Sequence, residues 1–507
     1  MREVPVSFAA PVRTADAPGI SRQAEVLLAL AIAIALLIPC FWQEHIEAGD
    51  LASHLYNAWL VGQIQRTGIA GLTVAHPLTN VLSDGIMAVL IGPLGPAWTA
   101  RLICGVAVET FFWGAFYFIA VVNSRKPWIL APSLGMLAYG MIFHFGFLNF
   151  YIATGCSLWI LALLWIPSRL ALLQSIPLAV LALLAHPLPL AWAVCLLAYV
   201  QVARRLRTAG AQMLLLLVGP AALVLIQTAL LSMFPSEWSL GQSLRLEGIL
   251  GLTGALQFCL YGSKYLLIAA GMLVVWFFLF LERVDRGKLI ADPLVHLWLL
   301  NIAALMLIPS AIKFPQYQFG LLFISERISL FIAILFCAVI GGGRYGRAMT
   351  RLSSLVAIAF FAFLFIDVRA INSVDAELTS LVSELPPGQR VVASLQDSSG
   401  LNGLVHVLDW ACIGRCFDYA NYEPGTGQFR IRVLERNQVV APTIAIAQEI
   451  EYGHHIVAPD EAPLYSVCPG PDLSHRLRLQ KMKAGDATCG FTLPTTFRLF
   501  EALPSAP

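Results

Sequence analysis

Charge is what this sequence has least of. Only 12% of its 507 residues are Asp, Glu, Lys or Arg, about half of the roughly 25% found in soluble domains. Hydrophobic residues make up 58% of the chain and the mean hydropathy is +0.75, which excludes an ordinary water-soluble globule. An excess of one sign is also missing, because 32 Lys and Arg against 30 Asp and Glu leave a net charge of +2. No basic stripe interleaved with aromatics is visible, so nucleic acid is set aside as a partner. The chain lacks a Walker loop, a dinucleotide-binding glycine fingerprint, a His-Glu-x-x-His motif and a Gly-x-Ser-x-Gly elbow. ATP-driven transport and soluble-type hydrolysis lose support with them.

What is present is a series of apolar runs. After Arg2, Arg13 and Arg22, the first extends from Ala24 to Trp42. It is longer than the roughly 7 to 15 residues of a secretory signal's apolar region, and reads as a retained signal anchor. Runs able to cross roughly 30 Å of hydrocarbon at about 1.5 Å per residue recur near 97–122, 129–143, 150–167, 170–185, 187–203, 211–233, 263–281, 290–311, 327–341 and 352–369. The expectation is a polytopic α-helical membrane protein with about eleven spans.

Val81 to Leu94 is the ambiguous segment: it is short, holds Asp84 and Gly85, and runs into the Gly-Pro-Leu-Gly-Pro turn at 92–96. If it does not cross, Arg125, Lys126, Arg169, Arg204, Arg205, Arg207, Arg283, Arg286, Lys288, Arg344, Arg347 and Arg351 fall on the side of the N-terminal arginines, as the positive-inside rule requires. Residues 44–96 then form one long outer loop with two helices lying along the membrane surface. Residues 1–23 become a cytoplasmic tail, 24–370 the transmembrane module, and 371–507 an extracytoplasmic soluble α/β domain. The expected location is the plasma (inner) membrane. Short strands are predicted at Arg390–Leu395, Phe429–Val433 and Val439–Ile444 from their β-branched, alternating composition.

Six cysteines (Cys40, Cys104, Cys156, Cys195, Cys259 and Cys337) lie in or beside apolar runs, where cysteine behaves as a small hydrophobe. The other four lie in the C-terminal region. An even number in an oxidising compartment points to two disulfides, with three connectivities possible; Cys412 with Cys416 and Cys468 with Cys489 are the expected pairs. Zinc is the rival reading, to which the spacing is a poor match.

The stretch EAGDLASHLYN, from Glu47 to Asn57, places two carboxylates, an imidazole and a carboxamide just beyond the first span. On a helix, Asp50, His54 and Asn57 share a face beside the apolar stripe of Leu51, Leu55 and Trp59. With Glu47 they form a candidate ligand-binding group. Asp50 also stands where an N-cap would, and an interfacial helix needs a polar face for water alone. Few cations lie on the outer side: Arg66, Arg101, Arg245, Lys264, Lys313 and Arg327. Of these, Lys313 and Arg327 bracket one loop as a candidate phosphate clamp, against the commoner role of snorkelling to headgroups. His144 and His186 lie between spans near the same surface, and neutral imidazole is a frequent metal ligand. No metal is expected as a certain cofactor, with a divalent ion as the alternative. Glu109 falls mid-span, where a carboxyl must be protonated, paired or hydrated.

An N-in anchor, an acidic motif in a long first outer loop, about eleven spans and a C-terminal outer domain together resemble the GT-C superfamily of polyprenyl-phosphate-sugar-dependent membrane glycosyltransferases. That family carries Asp-Asp, Asp-Glu or Glu-x-Asp in its first outer loop; the nearest match here is Glu47-x-x-Asp50. The resemblance implies a lipid-linked sugar donor and a glycan, lipid or protein acceptor. It further implies Asp50 as general base with Glu47 and His54 beside it, and Asn57, His144, Lys313, Arg327 and Arg245 as substrate contacts. The alternative is a transporter or a non-catalytic assembly protein whose outer domain binds partners. A lipid-linked glycan polymerase or ligase would carry its large outer loop between late spans, whereas here the outer mass is C-terminal.

Overall fold

The computed structural model describes residues 21–206, 208–283, 292–314, 319–343, 345–397, 401–427, 429–471 and 476–493. Arg2, Arg13, Arg207, Arg286, Lys288 and Arg344 of the charge argument lie outside the described residues, as does most of the tail 1–23. Residues 315–318 of the loop between Lys313 and Arg327 lie outside them too.

Each of the apolar runs is helical, and the protein is a helical membrane protein. In chain order the helices are α1 (Arg22–Leu37), α2 (Leu51–Thr67), α3 (Leu82–Asn123), α4 (Ala131–Ala138), α5 (Met141–His144), α6 (Leu148–Leu164), α7 (Arg169–Ala185), α8 (Pro187–Arg205) and α9 (Ala209–Met233). They continue as α10 (Leu240–Leu244), α11 (Leu246–Thr253), α12 (Tyr265–Arg283), α13 (Pro293–Leu307), α14 (Ile324–Ile340), α15 (Arg347–Ser383), α16 (Val407–Cys412), α17 (Tyr422–Thr426) and α18 (Ile444–Glu451). Six described helices are long and apolar enough to cross a membrane: α1 with the short turn after it, α3, α8, α9, α12 and α15. Those six differ in burial. The apolar window of α9 is 6% buried and that of α3 is 67% buried, so α3 is the centre of the bundle while α9 turns leucines outward on nearly all sides, as a helix solvated by lipid can.

The break anticipated in Gly-Pro-Leu-Gly-Pro is real. Gly95 sits at φ 75° inside α3, a conformation that costs glycine nothing, and Pro96 can donate no amide hydrogen bond there. Leu82–Leu94 therefore leaves the axis of the long apolar leg that follows.

The strands are β1 (Leu72–Val74), β2 (Ser236–Glu237), β3 (Ala311–Phe314), β4 (Phe319–Leu321), β5 (Arg390–Val392), β6 (Ser394–Asp397), β7 (Phe417–Asp418), β8 (Ile431–Val433), β9 (Leu464–Pro469), β10 (Leu477–Met482) and β11 (Gly490–Leu493). A four-stranded sheet runs β10-β9-β5-β7, antiparallel between β10 and β9 and parallel across β9, β5 and β7. β11 pairs with β6 in parallel. Disulfides join Cys412 to Cys416 and Cys468 to Cys489 as expected, and the remaining six cysteines are free thiols.

One expectation, a strand at 439–444, needs correction, and two features go beyond the sequence reading. At residue 371, α15 runs on without a break to Ser383. Ile371, Val374, Leu378 and Val382 keep a buried stripe at helical spacing, and Glu377 accepts from Arg476 at 3.0 Å and from the Leu477 amide at 2.9 Å. Val439–Ile444 is irregular leading into α18 instead of a strand, with Val439, Val440 and Ala441 buried: Asn437 Oδ1 accepts from the amides of Val439 and Val440 at 2.8 and 2.9 Å, Pro442 has no amide hydrogen, and the Thr443 hydroxyl caps α18. Finally, α2 is covered on both sides. Leu51, Leu55 and Leu60 are fully buried and so is Asn57, because α2 is sandwiched between α3 and the C-terminal part.

The covering is specific. β1, from the loop after α2, pairs antiparallel with β8. The Tyr56 hydroxyl accepts from the Asp418 amide at 3.0 Å, and Asn57 and Asn421 exchange amide hydrogen bonds of 2.7 and 3.3 Å. A buried carboxamide needs partners for both ends, and each of these supplies them for the other.

Candidate functional site

Asp50 is positioned by two interlocked loops. Gly49 (φ 39°) and Gly146 (φ 82°) both sit in the left-handed region. A Cβ on Gly49 would lie 2.6 Å from the Phe145 carbonyl oxygen, and one on Gly146 2.4 Å from the Asp50 amide nitrogen. Only glycine permits so close an approach. The Asp50 amide donates to the Phe145 carbonyl at 3.2 Å across this contact. Asp50 begins α2, but its carboxylate makes no capping bond to the helix. Instead, Oδ1 lies 3.3 Å from Nε2 of His406.

His406 stands just before α16 and holds carboxylates at both ends of its ring, since Nδ1 is 3.0 Å from Oδ2 of Asp409. Burial alone would lower its pKa, but hydrogen bonds to Asp409 and Asp50 and their charges outweigh that and push it up to about 10. Behind this pair, Asp418 is buried and hydrogen-bonded to Asp409. Burial first, and then the Asp409 charge, hold its carboxyl well above the usual range.

These residues form one wall of a cavity of about 370 Å³ that Asp50, His406, Asp418, Asn402, Asn421 and Glu451 line with polar groups and Phe145, Phe147, Phe323 and Tyr422 line with rings. Carboxylates and amides between aromatic faces suit a polyhydroxylated ligand, whose hydroxyls pair with the polar groups while its C–H faces lie on the rings. His144 lines it as well. Its Nδ1–H donates to the Glu47 carbonyl at 3.0 Å, leaving Nε2 buried without a hydrogen-bond partner among the described residues.

Arg327, in the first turn of α14, lies beside this cavity. Its guanidinium stacks over Phe147 and Phe150, 4.5 and 5.2 Å from their centroids, and Nη1 is 3.3 Å from Nε2 of His186. Among the described residues it has no carboxylate within ion-pairing distance, and its buried Nε has no partner. Arg327 is 8% exposed. A buried arginine facing aromatic rings and a neutral imidazole is poised for an anion.

A second acid and histidine cluster lies a turn further along α2. His54 Nδ1 is 2.9 Å from Asp84 Oδ1, Arg430 reaches the same oxygen at 3.3 Å, and Asn149 donates to Asp84 Oδ2 at 3.0 Å. Burial pulls the His54 pKa down, but the Asp84 charge and hydrogen bond outweigh it and raise it to about 9. Glu423, 3.8 Å from His54, is raised to about 7, chiefly by burial.

The group predicted from the sequence is thus divided. Asp50 and His144 line the cavity, and Arg327 stacks on its wall. Glu47 is buried, accepts from Asn372 Nδ2 at 2.7 Å and has its carboxyl raised by burial and then by Asp375; it braces the loop against α15. His54 is taken up by Asp84, and Asn57 by Asn421. Lys313 on β3 is 63% exposed, with Glu237 4.0 Å away, and Arg245 is exposed before α11; neither lines the cavity. Mid-helix Glu109 accepts from Trp113 Nε1 at 2.7 Å beside an apolar groove of about 910 Å³ on the outside of the bundle. Sequence reasoning missed His406, Asp409, Asp418 and Arg430. The His-x-x-Asp spacing of His406 and Asp409 was the one local sign of them.

Among the described residues no group of three or more His, Cys, Asp or Glu is arranged to hold a metal ion. The chain matches no family model, no curated protein and no solved structure.

Proposed function

We propose that the protein is a multi-pass membrane glycosyltransferase of the GT-C type, which moves a sugar from a polyprenyl-phosphate donor to an acceptor hydroxyl held in the cavity around Asp50. The observation that carries this reading is a carboxylate lining an aromatic-walled cavity and, stacked on Phe147 of its wall, a buried arginine with no carboxylate partner among the described residues. Transfer needs a base for the acceptor's proton and a cation for the departing phosphate. Asp50 fills the first role and Arg327 the second.

The chemistry follows from these positions. As the acceptor hydroxyl attacks the anomeric carbon, its proton passes to Asp50 and its electron pair forms the new glycosidic bond. The bond from that carbon to the phosphate oxygen breaks, its pair leaves with the phosphate, and Arg327 offsets the added charge. The topology proposed with it has about eleven spans, including the shorter helices α6, α7, α13 and α14. The N-terminus and the basic loops are cytoplasmic by the positive-inside rule, the C-terminal part is extracytoplasmic, and the membrane is the inner one. The test is transfer of radiolabelled sugar from a polyprenyl-phosphate donor in membranes containing the wild type or Asp50→Asn. Loss of transfer supports the reading; transfer at the wild-type rate removes it.

A further inference from the structure

We infer that His406 is the positioning residue for Asp50, so that the C-terminal part of the chain supplies half of the site begun by the loop before α2. The inference rests on the reading of Asp50 as the base, but its structural content can be tested without any activity.

His406 touches Asp50 and Asp409 through different nitrogens, at 3.3 and 3.0 Å. Carboxylates are acceptors only, so an imidazole placed between two of them carries a proton on each nitrogen. The groups facing it are Asp50 before α2, Asp409 on α16, Asp418 on β7 behind Asp409, and Tyr422 on α17, whose ring centroid lies 5.5 Å away. No second cation stands within ion-pairing distance of Asp50 among the described residues. His406 therefore stands as a cation between the carboxyl groups of Asp409 and Asp50.

The consequence for the reaction is geometric. With Oδ1 held by His406, Oδ2 of Asp50 is the oxygen left to receive the acceptor's proton. His406 keeps both of its own protons throughout, so nothing is relayed through it. A neutral His406 would turn a lone pair towards Asp50 and release its orientation.

The direct test is solid-state NMR on the full chain in nanodiscs with ¹³C,¹⁵N-histidine, the His406 signal being assigned by its loss in His406→Gln. At pH 8 both His406 nitrogens should be protonated, and Asp50→Asn should move the deprotonation midpoint down by at least one pH unit. A neutral ring at pH 8, or a midpoint that Asp50→Asn leaves in place, overturns the inference. The kinetic test uses the donor assay above. His406→Gln should lower kcat by about 10²-fold with little change in KM, as expected of a misplaced reacting group, and free imidazole should restore part of the rate to His406→Gly. An unchanged kcat, or equal losses in kcat and KM with no imidazole rescue, also overturns it. If Asp50→Asn keeps full transfer while the NMR result holds, the fault lies with the proposed reaction and the bridge itself stands.

Discussion

Two clusters at the seam between the helical bundle and the C-terminal part are built from the same kinds of residue and differ in one respect. Around Asp84, every polar group of the carboxylate is spent: one oxygen takes His54 and Arg430 and the other takes Asn149. Around Asp50, one oxygen meets His406 and the side chain remains 29% exposed on a cavity. The first arrangement is a clasp, because a buried carboxylate with both oxygens paired is stable and inert. The second is a carboxylate held by one hand and free at the other, as a base must be. Composition does not separate a clasp from a site; the unfilled valence and the open space do.

The sharpest way to break this comparison is to neutralise each carboxylate and measure both transfer and stability. Asp50→Asn should lower transfer by about 10²-fold or more while thermal unfolding in detergent shifts little. Asp84→Ala should do the reverse in kind: it strands Arg430 and His54 in a buried site and should destabilise the protein by about 3–5 kcal/mol, measured by the same melting curves. If Asp84→Ala melted like wild type but abolished transfer, the roles of the two clusters would be exchanged.

How far the sequence carried this distinction depends on distance along the chain. The helices were legible because each is a long apolar run, and the kink at Gly95 because Gly and Pro act on their own backbone. Asp50 stood out because it follows the first run directly. The division of the Glu47 to Asn57 group was not legible, since the partners that separate its members come from the other end of the chain: His406 for Asp50, Asn421 for Asn57, Asn372 for Glu47. A helix with a polar face reads the same whether water or a folded segment covers it. The disulfide pairs were legible because near neighbours in sequence were also the ones joined. At residue 371 hydropathy falls while the helical spacing of Ile371, Val374, Leu378 and Val382 continues, so the fall in hydropathy does not mark the end of α15.

A change of pH should open the clasp in a stated direction. The folded pKa of His54 is about 9, above the roughly 6.5 of an unfolded histidine. Its contribution to stability is therefore complete below about pH 6.5 and lost as the pH rises through about 9. Melting temperatures taken at pH 6, 7.5 and 9 should fall across that series, and His54→Gln should flatten the decline. An equally steep decline in His54→Gln would assign the effect to other groups.

The smallest expected effect separates two cations that the sequence treats as a pair. Lys313 and Arg327 bracket one loop, yet Lys313 is 63% exposed with its carboxylate neighbour 4.0 Å away, and Arg327 is 8% exposed and stacked on two rings. A solvated ammonium at that separation gains almost nothing from its partner, and it does not line the cavity. Lys313→Ala should therefore change stability by no more than about 0.5 kcal/mol and leave transfer rates at the wild-type value across salt concentrations. Arg327→Gln should reduce the rate and make what remains less sensitive to salt. Equal losses from the two substitutions would mean that the phosphate is met on the exposed sheet of β2, β3 and β4, and would move the donor's headgroup away from the cavity where Asp50 stands.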